Sequence, residues 1–260
     1  MTILHNIILS IVEGITEFLP ISSTGHLILA SKVLDIVQSD FVKSFEIIIQ
    51  LGAILSVIVL YFKKLFNVET IKRLIVAFLP TAVIGLAMYK IVKKFLLGNL
   101  TVVVWSLLIG GVLLIVLELW YKRQKHDISE IDSEIVLPNY KQSFLIGLVQ
   151  SVAIIPGVSR SGATIAGGLL MRMSRKSIVE FSFLLAVPTM VAASGLDILK
   201  NYQVFTASNI WSLVVGFVSS FIVAILGIKL LLGFIRKYDF IPFGVYRIVI
   251  ALIFILFFLV

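Results

Sequence analysis

The feature that most constrains this chain is the recurrence of unbroken apolar runs of about 20 residues along nearly its whole length. Each run is long enough to cross a hydrocarbon core of roughly 30 Å as a helix, which satisfies all its backbone polar groups internally. Six read as crossings, at about 42 to 62, 74 to 97, 100 to 121, 177 to 196, 209 to 232 and 240 to 260. Of the 260 residues, 60% are hydrophobic and 14% charged, and the mean hydropathy is +1.12. No soluble domain remains once the crossings are assigned. The expectation is an all-α polytopic membrane protein forming a single membrane domain over 1–260.

The first 30 residues lack a basic leader region and a small-residue cleavage site, and they hold Glu13, Glu17 and His26. They are therefore expected to stay in the mature protein. The net charge of +8 reflects Lys and Arg gathered in loops beside anionic lipid, not a nucleic-acid partner. Without cysteine, disulfides, thiolate nucleophiles and thiolate metal sites are excluded.

Two segments, about 3 to 33 and about 141 to 171, differ from the crossings. In each, two short apolar runs flank a polar centre, PISSTGH at 20 to 26 and PGVSRSGAT at 156 to 164. Pro20 and Pro156 interrupt a helix, and the hydroxyl residues that follow can cap a new one. Half-helices of about 10 to 15 residues are too short to span, so each segment reads as a re-entrant helix-loop-helix hairpin.

SIVEGITEFLPISSTG at 10 to 25 and GLVQSVAIIPGVSRSG at 147 to 162 share a layout that sets Ser22 opposite Ser159 and Glu13 opposite Gln150. A weaker pairing sets Glu46 opposite Glu180. An internal duplication follows, with repeat one at about 1–121, a polar loop at about 122–140 and repeat two at about 141–260. A hairpin plus three crossings is an odd count, so the second copy is expected to be inverted, a plan associated with transporters. Parity puts Lys32, Lys43, Lys90, Lys93, Lys94 and Lys200 on one side. Arg160 and Arg247 lie inside membrane segments, and the other 14 of the 22 Lys and Arg fall on the opposite side. That excess marks the cytoplasm and turns both termini outward.

Glu13 and Glu17 lie one helical turn apart on one face. A single charge at membrane depth costs about 2.5 to 3.5 kcal/mol, so two like charges call for a cation, a proton or a metal ion. The bland alternative is an amphipathic half-helix lying in the interface with both glutamates solvated. His26 follows the first turn with a side chain suited to proton transfer, although a lone histidine is commonly structural. Ser22, Ser23 and Thr24 offer hydroxyls and N–H groups at a helix start, where anions are favoured, or simply cap it. Arg160, among Ser159, Ser161, Gly162 and Thr164, fits a bidentate grip on phosphate. Its alternative is an ion pair with Glu13 or Glu17 that only joins the two repeats. Glu46, Gln50 and Gln150 are candidates to line a cavity, Glu180 is equally such a candidate or a solvated residue at a membrane boundary, and His5 and His126 read more simply as solvated. Oxygen ligands beside an arginine suit Mg²⁺ or Ca²⁺ on a diphosphate.

At these motifs the sequence resembles the undecaprenyl-diphosphate phosphatase family, also called bacitracin resistance proteins. The resemblance rests on EGITEFLPISSTGH at 13 to 26, FEIIIQLGAI at 45 to 54 and PGVSRSGATI at 156 to 165, and it covers essentially the whole chain. It implies a multi-pass protein of the bacterial cell membrane with an inverted-repeat fold and an outward-facing site. It also implies hydrolysis of a C55 isoprenyl diphosphate to the monophosphate carrier and phosphate. The functional positions it implies are Glu13, Glu17, Ser23, His26 and Arg160, with Ser22, Thr24, Ser159 and Thr164 nearby; Ser161, beside Arg160, joins these as a substrate-binding candidate. In the expected mechanism Arg160 and a divalent cation on Glu13 and Glu17 hold the diphosphate. Ser23 attacks and His26 or Glu17 takes its proton; direct attack by water is the alternative. The expected partners are the isoprenoid diphosphate, membrane lipid and, as an allowance, a second copy of the chain. The rivals are a lipid flippase or ion-coupled transporter, and a scaffold without a site.

Overall fold

The computed structural model describes residues 1–92, 96, 99–124, 135–201 and 210–258. Among them every regular element is helical. Helices α1 (Ile3–Thr16) and α2 (Ser23–Val33) form the first hairpin, followed by α3 (Asp40–Leu60), the single turn α4 (Phe62–Leu65), α5 (Val68–Ile91) and α6 (Leu100–Arg123). The second hairpin is α7 (Tyr140–Gln150), a 3₁₀ turn (Ser151–Ile154) and α8 (Arg160–Leu170), and α9 (Arg175–Asn201), α10 (Ile210–Ile235) and α11 (Ile241–Phe258) complete the chain. Six helices are long and apolar enough to cross a membrane: α3, α5, α6, α9, α10 and α11. These are the six expected crossings.

The largest boundary difference is at α5, which begins at Val68, where the apolar run suggested 74. Asn67 caps this helix, accepting from the Glu69 and Thr70 N–H groups at 3.0 and 3.3 Å. Glu69 then pairs with Lys72 and Arg73 across the first turn. A charged, well-capped turn is invisible to a search for apolar runs. His126 and the rest of 125–134 lie outside the described residues, as do 93–95, 97–98, 202–209 and 259–260.

The two hairpins are built alike. Ser22 and Ser159 both take positive φ, 73° and 77°. Each caps the following helix, through Gly25 N–H at 3.3 Å and Gly162 N–H at 3.1 Å. Both following helices have 11 residues, and each is followed by a residue at positive φ, Asp35 at 53° and Arg172 at 60°. Non-glycine residues adopt this region only when the surroundings enforce it.

The packing is reciprocal as well. α1 lies against α10 while α7 lies against α5, so each hairpin rests on the second crossing of the other half. α3 packs on α9 and α10, and α6 packs on α11. Small residues allow the close approaches, since apolar side chains gain little over lipid and backbones must come near to pack well. A Cβ on Gly147 would strike the Ala77 carbonyl. The core where the halves meet holds Phe18, Ile146, Ile165, Phe181 and Phe183, with Phe18 and Phe183 edge to face at 5.3 Å. Outward faces stay apolar at helical spacing, as with Leu79, Val83 and Leu86 on α5, the pattern that contact with lipid demands.

Candidate active site

The tips of the two hairpins meet and enclose a cavity of about 120 Å³. From the first hairpin it is lined by Glu17, Ser22, Ser23 and Thr24, and from the second by Ile155, Pro156, Gly157, Ser159 and Arg160. Gln50 of α3 and Met190 of α9 close it. Its size suits a phosphate-sized group. Helices α2 and α8 both start at its wall, so two positive helix ends and their leading N–H groups converge there, which favours an anion.

Glu17 occupies the end of α1 with both oxygens committed. Its Oε2 accepts from Ser23 Oγ at 2.6 Å, and its Oε1 accepts from Arg160 Nη2 at 3.0 Å. The Arg160 guanidinium is oriented from the far side by α9, donating through Nη1 to the Ser182 carbonyl at 2.8 Å. Its Nε is buried with no partner among the described residues. Ser23, Glu17 and Arg160 thus form one hydrogen-bonded line across both hairpins. The ion pair anticipated as a purely structural alternative for Arg160 exists, and it lies in the cavity wall.

Glu13 lies one turn before Glu17 and is fully buried, and among the described residues no donor group meets either of its carboxylate oxygens. Burying an ionised carboxylate without a partner is prohibitive, so Glu13 holds a proton or faces a cation. Two carboxylates one turn apart, one of them without a donor, would suit a hard divalent cation. No cluster of three or more acidic, His or Cys ligands occurs among the described residues, so a site enclosed by protein ligands alone is not what this arrangement offers.

Glu13 sits behind Glu17, outside the lining, and so do His26, Ser161, Thr164 and Glu180. His26 contributes Nδ1 to the Ser22 carbonyl at 2.8 Å, and its Nε2 meets Tyr246 Oη at 2.9 Å. With a carbonyl on Nδ1, that nitrogen carries the proton, and Nε2 accepts from the tyrosine. His26 also stacks on the Tyr246 ring at 5.5 Å. The hydroxyl nearest to Glu17 is therefore Ser23's, and His26 supports the turn through Ser22. Ser161 donates to the Leu19 carbonyl at 2.7 Å and contacts Ser159 Oγ at 3.1 Å, tying one turn to the other. Thr164 donates to Gln150 Oε1 at 3.0 Å, and Gln150 Nε2 donates to Thr81 at 2.9 Å, a buried network behind α8. Glu180 pairs with Lys64 at 2.6 Å, away from the cavity.

Arg247, noted in the sequence only as a charge in a crossing, is 2% exposed and has five carbonyls around it. It donates to Pro20 in the first turn, Gly157 and Val158 in the second, and Ser106 and Leu107 on α6, at 3.0 to 3.3 Å. Backbone dipoles take the place of a counter-ion. Gly157 needs its φ of +93° and its missing side chain, because a Cβ would come 2.6 Å from the Val103 carbonyl. The sequence signal for Arg247 was the charge itself. For Ser182 and Tyr246, which orient Arg160 and His26, there was none.

Comparison with known proteins adds an independent line. A family model described as Bacitracin resistance protein BacA matches residues 6–253. The undecaprenyl-diphosphatase of Persephonella marina is 52% identical over 258 residues, covering 99% of both chains. That of Aquifex aeolicus is 49% identical over 262 residues and 100% of both chains. The undecaprenyl-diphosphatase of Methanococcus aeolicus is 45% identical over 99% of both.

Proposed function

The chain belongs to the bacitracin resistance protein family, and from that membership we propose that it hydrolyses undecaprenyl diphosphate. The products are undecaprenyl phosphate, which returns to cell-wall synthesis as the lipid carrier, and inorganic phosphate; bacitracin resistance follows from removal of the diphosphate. The observation that carries the reading is Ser23 Oγ donating to Glu17 Oε2 at 2.6 Å across from Arg160, in one buried cavity.

That hydroxyl and carboxylate stand as nucleophile and general base. Ser23 Oγ bonds to the terminal phosphorus while the bond from that phosphorus to the bridging oxygen breaks, and undecaprenyl phosphate leaves. The Ser23 proton passes to Glu17. Water then displaces the phosphoryl group from Ser23, and the proton on Glu17 returns to Oγ as inorganic phosphate departs. Arg160, fixed by Ser182 and with Nε unengaged, grips the non-bridging oxygens as negative charge gathers on them. Leading N–H groups of α2 and α8 add fixed positive dipoles. Glu13, beside Glu17, is the residue that would hold Mg²⁺ or Ca²⁺. Such an ion, when bound, screens the diphosphate charge so that a carboxylate-lined site accepts it.

The matching turns and reciprocal packing support an inverted duplication with both hairpins dipping into the bilayer. The distribution of Lys and Arg supports a cavity open to the outer side, with both termini there. Single cysteines introduced at Leu4 and Lys63 of this cysteine-free chain test the sidedness. An impermeant thiol reagent applied to intact cells is expected to label the first and not the second.

The test of function is phosphate release from C55 isoprenyl diphosphate by the purified protein in detergent, with and without chelator, beside Ser23→Ala, Glu17→Ala and Arg160→Ala. Release by the parent that fails in all three folded variants supports the reading. Full activity in Ser23→Ala would replace the serine nucleophile with direct attack by water, and no release by the folded parent given cation would move the assignment to lipid transport.

A further inference from the structure

A second cavity, of about 700 Å³, lies where α6 and α10 end and α9 and α11 begin. Four crossings terminate around it, which puts it at the level of lipid head groups whichever side it faces. Along α9 it reaches as far as Glu180, while Met190 lines the reaction cavity. Ten residues at 1.5 Å each separate the two by about 15 Å.

Its walls carry five cations, Lys122, Arg175, Lys176, Arg236 and Lys237. The acids around it among the described residues are matched one to one. Asp239 pairs with Lys122, the buried Glu118 behind the wall with Arg175, and Glu180 with Lys64 of α4. Lys176, Arg236 and Lys237 are left with no acidic partner among the described residues. Between them the lining turns apolar, with Leu232 and Ile235 on α10 and Pro242 on α11. The outward faces of the same helices are apolar too, with Leu230 and Val245 exposed. A free anion would use the cations alone; a molecule with an anionic head and an acyl chain uses both surfaces.

We propose that this cavity binds the phosphate head group of an anionic membrane phospholipid, held by Lys176, Arg236 and Lys237, with its glycerol and upper acyl carbons against Leu232, Ile235 and Pro242. Basic pockets between crossings at the head-group level recognise lipid in this way. The site is distinct from the reaction cavity and takes a different lipid, so it stands or falls independently of the phosphatase reading.

The probe is native mass spectrometry of the full chain released from micelles holding equal amounts of phosphatidylglycerol and phosphatidylcholine with the same acyl chains. Each unpaired cation favours the anionic lipid by about fivefold, so retained phosphatidylglycerol is expected to exceed phosphatidylcholine by tenfold or more. K176Q/R236Q/K237Q is expected to lose that preference, and K63Q/K90Q/K141Q, with the same change in charge, to keep it. Phosphate release by both triple variants reports that they are folded. If the first triple variant is inactive, R236Q alone, at an exposed position, is expected to lower the preference about fivefold. Equal retention of the two lipids overturns the proposal, as does an unaltered preference in the cavity variants or an equal loss in the control. Displacement of the bound lipid by millimolar inorganic phosphate also overturns it, assigning the cavity to a free anion.

Discussion

Replacing Arg247 with methionine tests whether the two hairpin tips are held in register from α11. Methionine keeps the length and apolar stem of the side chain but none of its donors. Of the five carbonyls it would abandon, those of Ser106 and Leu107 lie within α6 and retain intrahelical partners, whereas those of Pro20, Gly157 and Val158 belong to turns and have no other hydrogen bond among the described residues. Leaving a buried polar group unsatisfied costs about 1 kcal/mol or more, so three orphaned carbonyls cost roughly 3 kcal/mol. Part is returned because a guanidinium no longer has to be desolvated, which makes the figure an upper one. On the scale of large soluble domains, 3 kcal/mol lowers Tm by roughly 6 to 12 °C. The same loosening lets the starts of α2 and α8 drift apart. A misplacement of about 1 Å at a reacting centre can cost on the order of a hundredfold in rate. Thermal unfolding in detergent and phosphate release at saturating substrate read the two effects. Arg247→Lys, whose ammonium reaches at most three of the carbonyls, is expected to fall between. A methionine variant with unchanged Tm and unchanged kcat would refute the idea that these carbonyl contacts set the site.

Further outcomes follow from the same geometry. Glu13→Gln keeps the shape of the buried side chain and removes its charge, so phosphate release is expected to require at least roughly tenfold more divalent cation; an unaltered Mg²⁺ and Ca²⁺ titration would remove Glu13 from the cation site. Ser23→Ala is expected to lower kcat by a thousandfold or more while Ser22→Ala, which loses only a cap, costs about 1 kcal/mol of stability; equal losses of kcat in the two would contradict the separate roles. Tyr246→Phe frees His26 Nε2 and is expected to cost about 1 kcal/mol in unfolding measurements with kcat within roughly threefold of the parent; a collapse of kcat with unchanged Tm would put the His26 and Tyr246 pair in the chemistry. Gly157→Ala combines a positive φ with a clash on the Val103 carbonyl and is expected to destabilise by at least about 1 kcal/mol, read as a lower Tm.

The parts that were legible in the sequence are those whose signal is local contrast. A charge stands out in an apolar run, which is why Glu13, Glu17 and Arg160 could be singled out, and a Pro followed by hydroxyl residues marks a break, which located both turns. Contacts over long sequence separation left no such trace. Ser182 is one more small residue in a crossing until α8 brings Arg160 to its carbonyl. Tyr246 is one more aromatic until the first hairpin sets His26 against it. Arg247 was visible as a charge, but its partners are backbone carbonyls, and no pattern of side chains records where a backbone will turn. The direction of His26 depended on the angle at which α2 leaves its turn, a property of the whole packing.

The charges in and around the cavity support the proposal that a divalent cation takes part in the reaction. Arg160 is the cation in the cavity wall, and it is already balanced by Glu17. Arg247 lies close by but is enclosed by carbonyls that it must keep in order to hold the turns. A diphosphate brings on the order of two or more negative charges. It would enter a site whose protein charges already cancel, beside Glu13. Helix ends contribute only about half a charge each, too little to offset this. If Arg160 turns to the phosphate, Glu17 loses its partner and becomes a stronger acceptor for the Ser23 proton, which helps the chemistry but leaves the site more negative still. A divalent ion held beside Glu13 would meet the shortfall. Such an ion would also give Glu13 a partner in its ionised form, and substrate and cation would then each bind more tightly in the presence of the other.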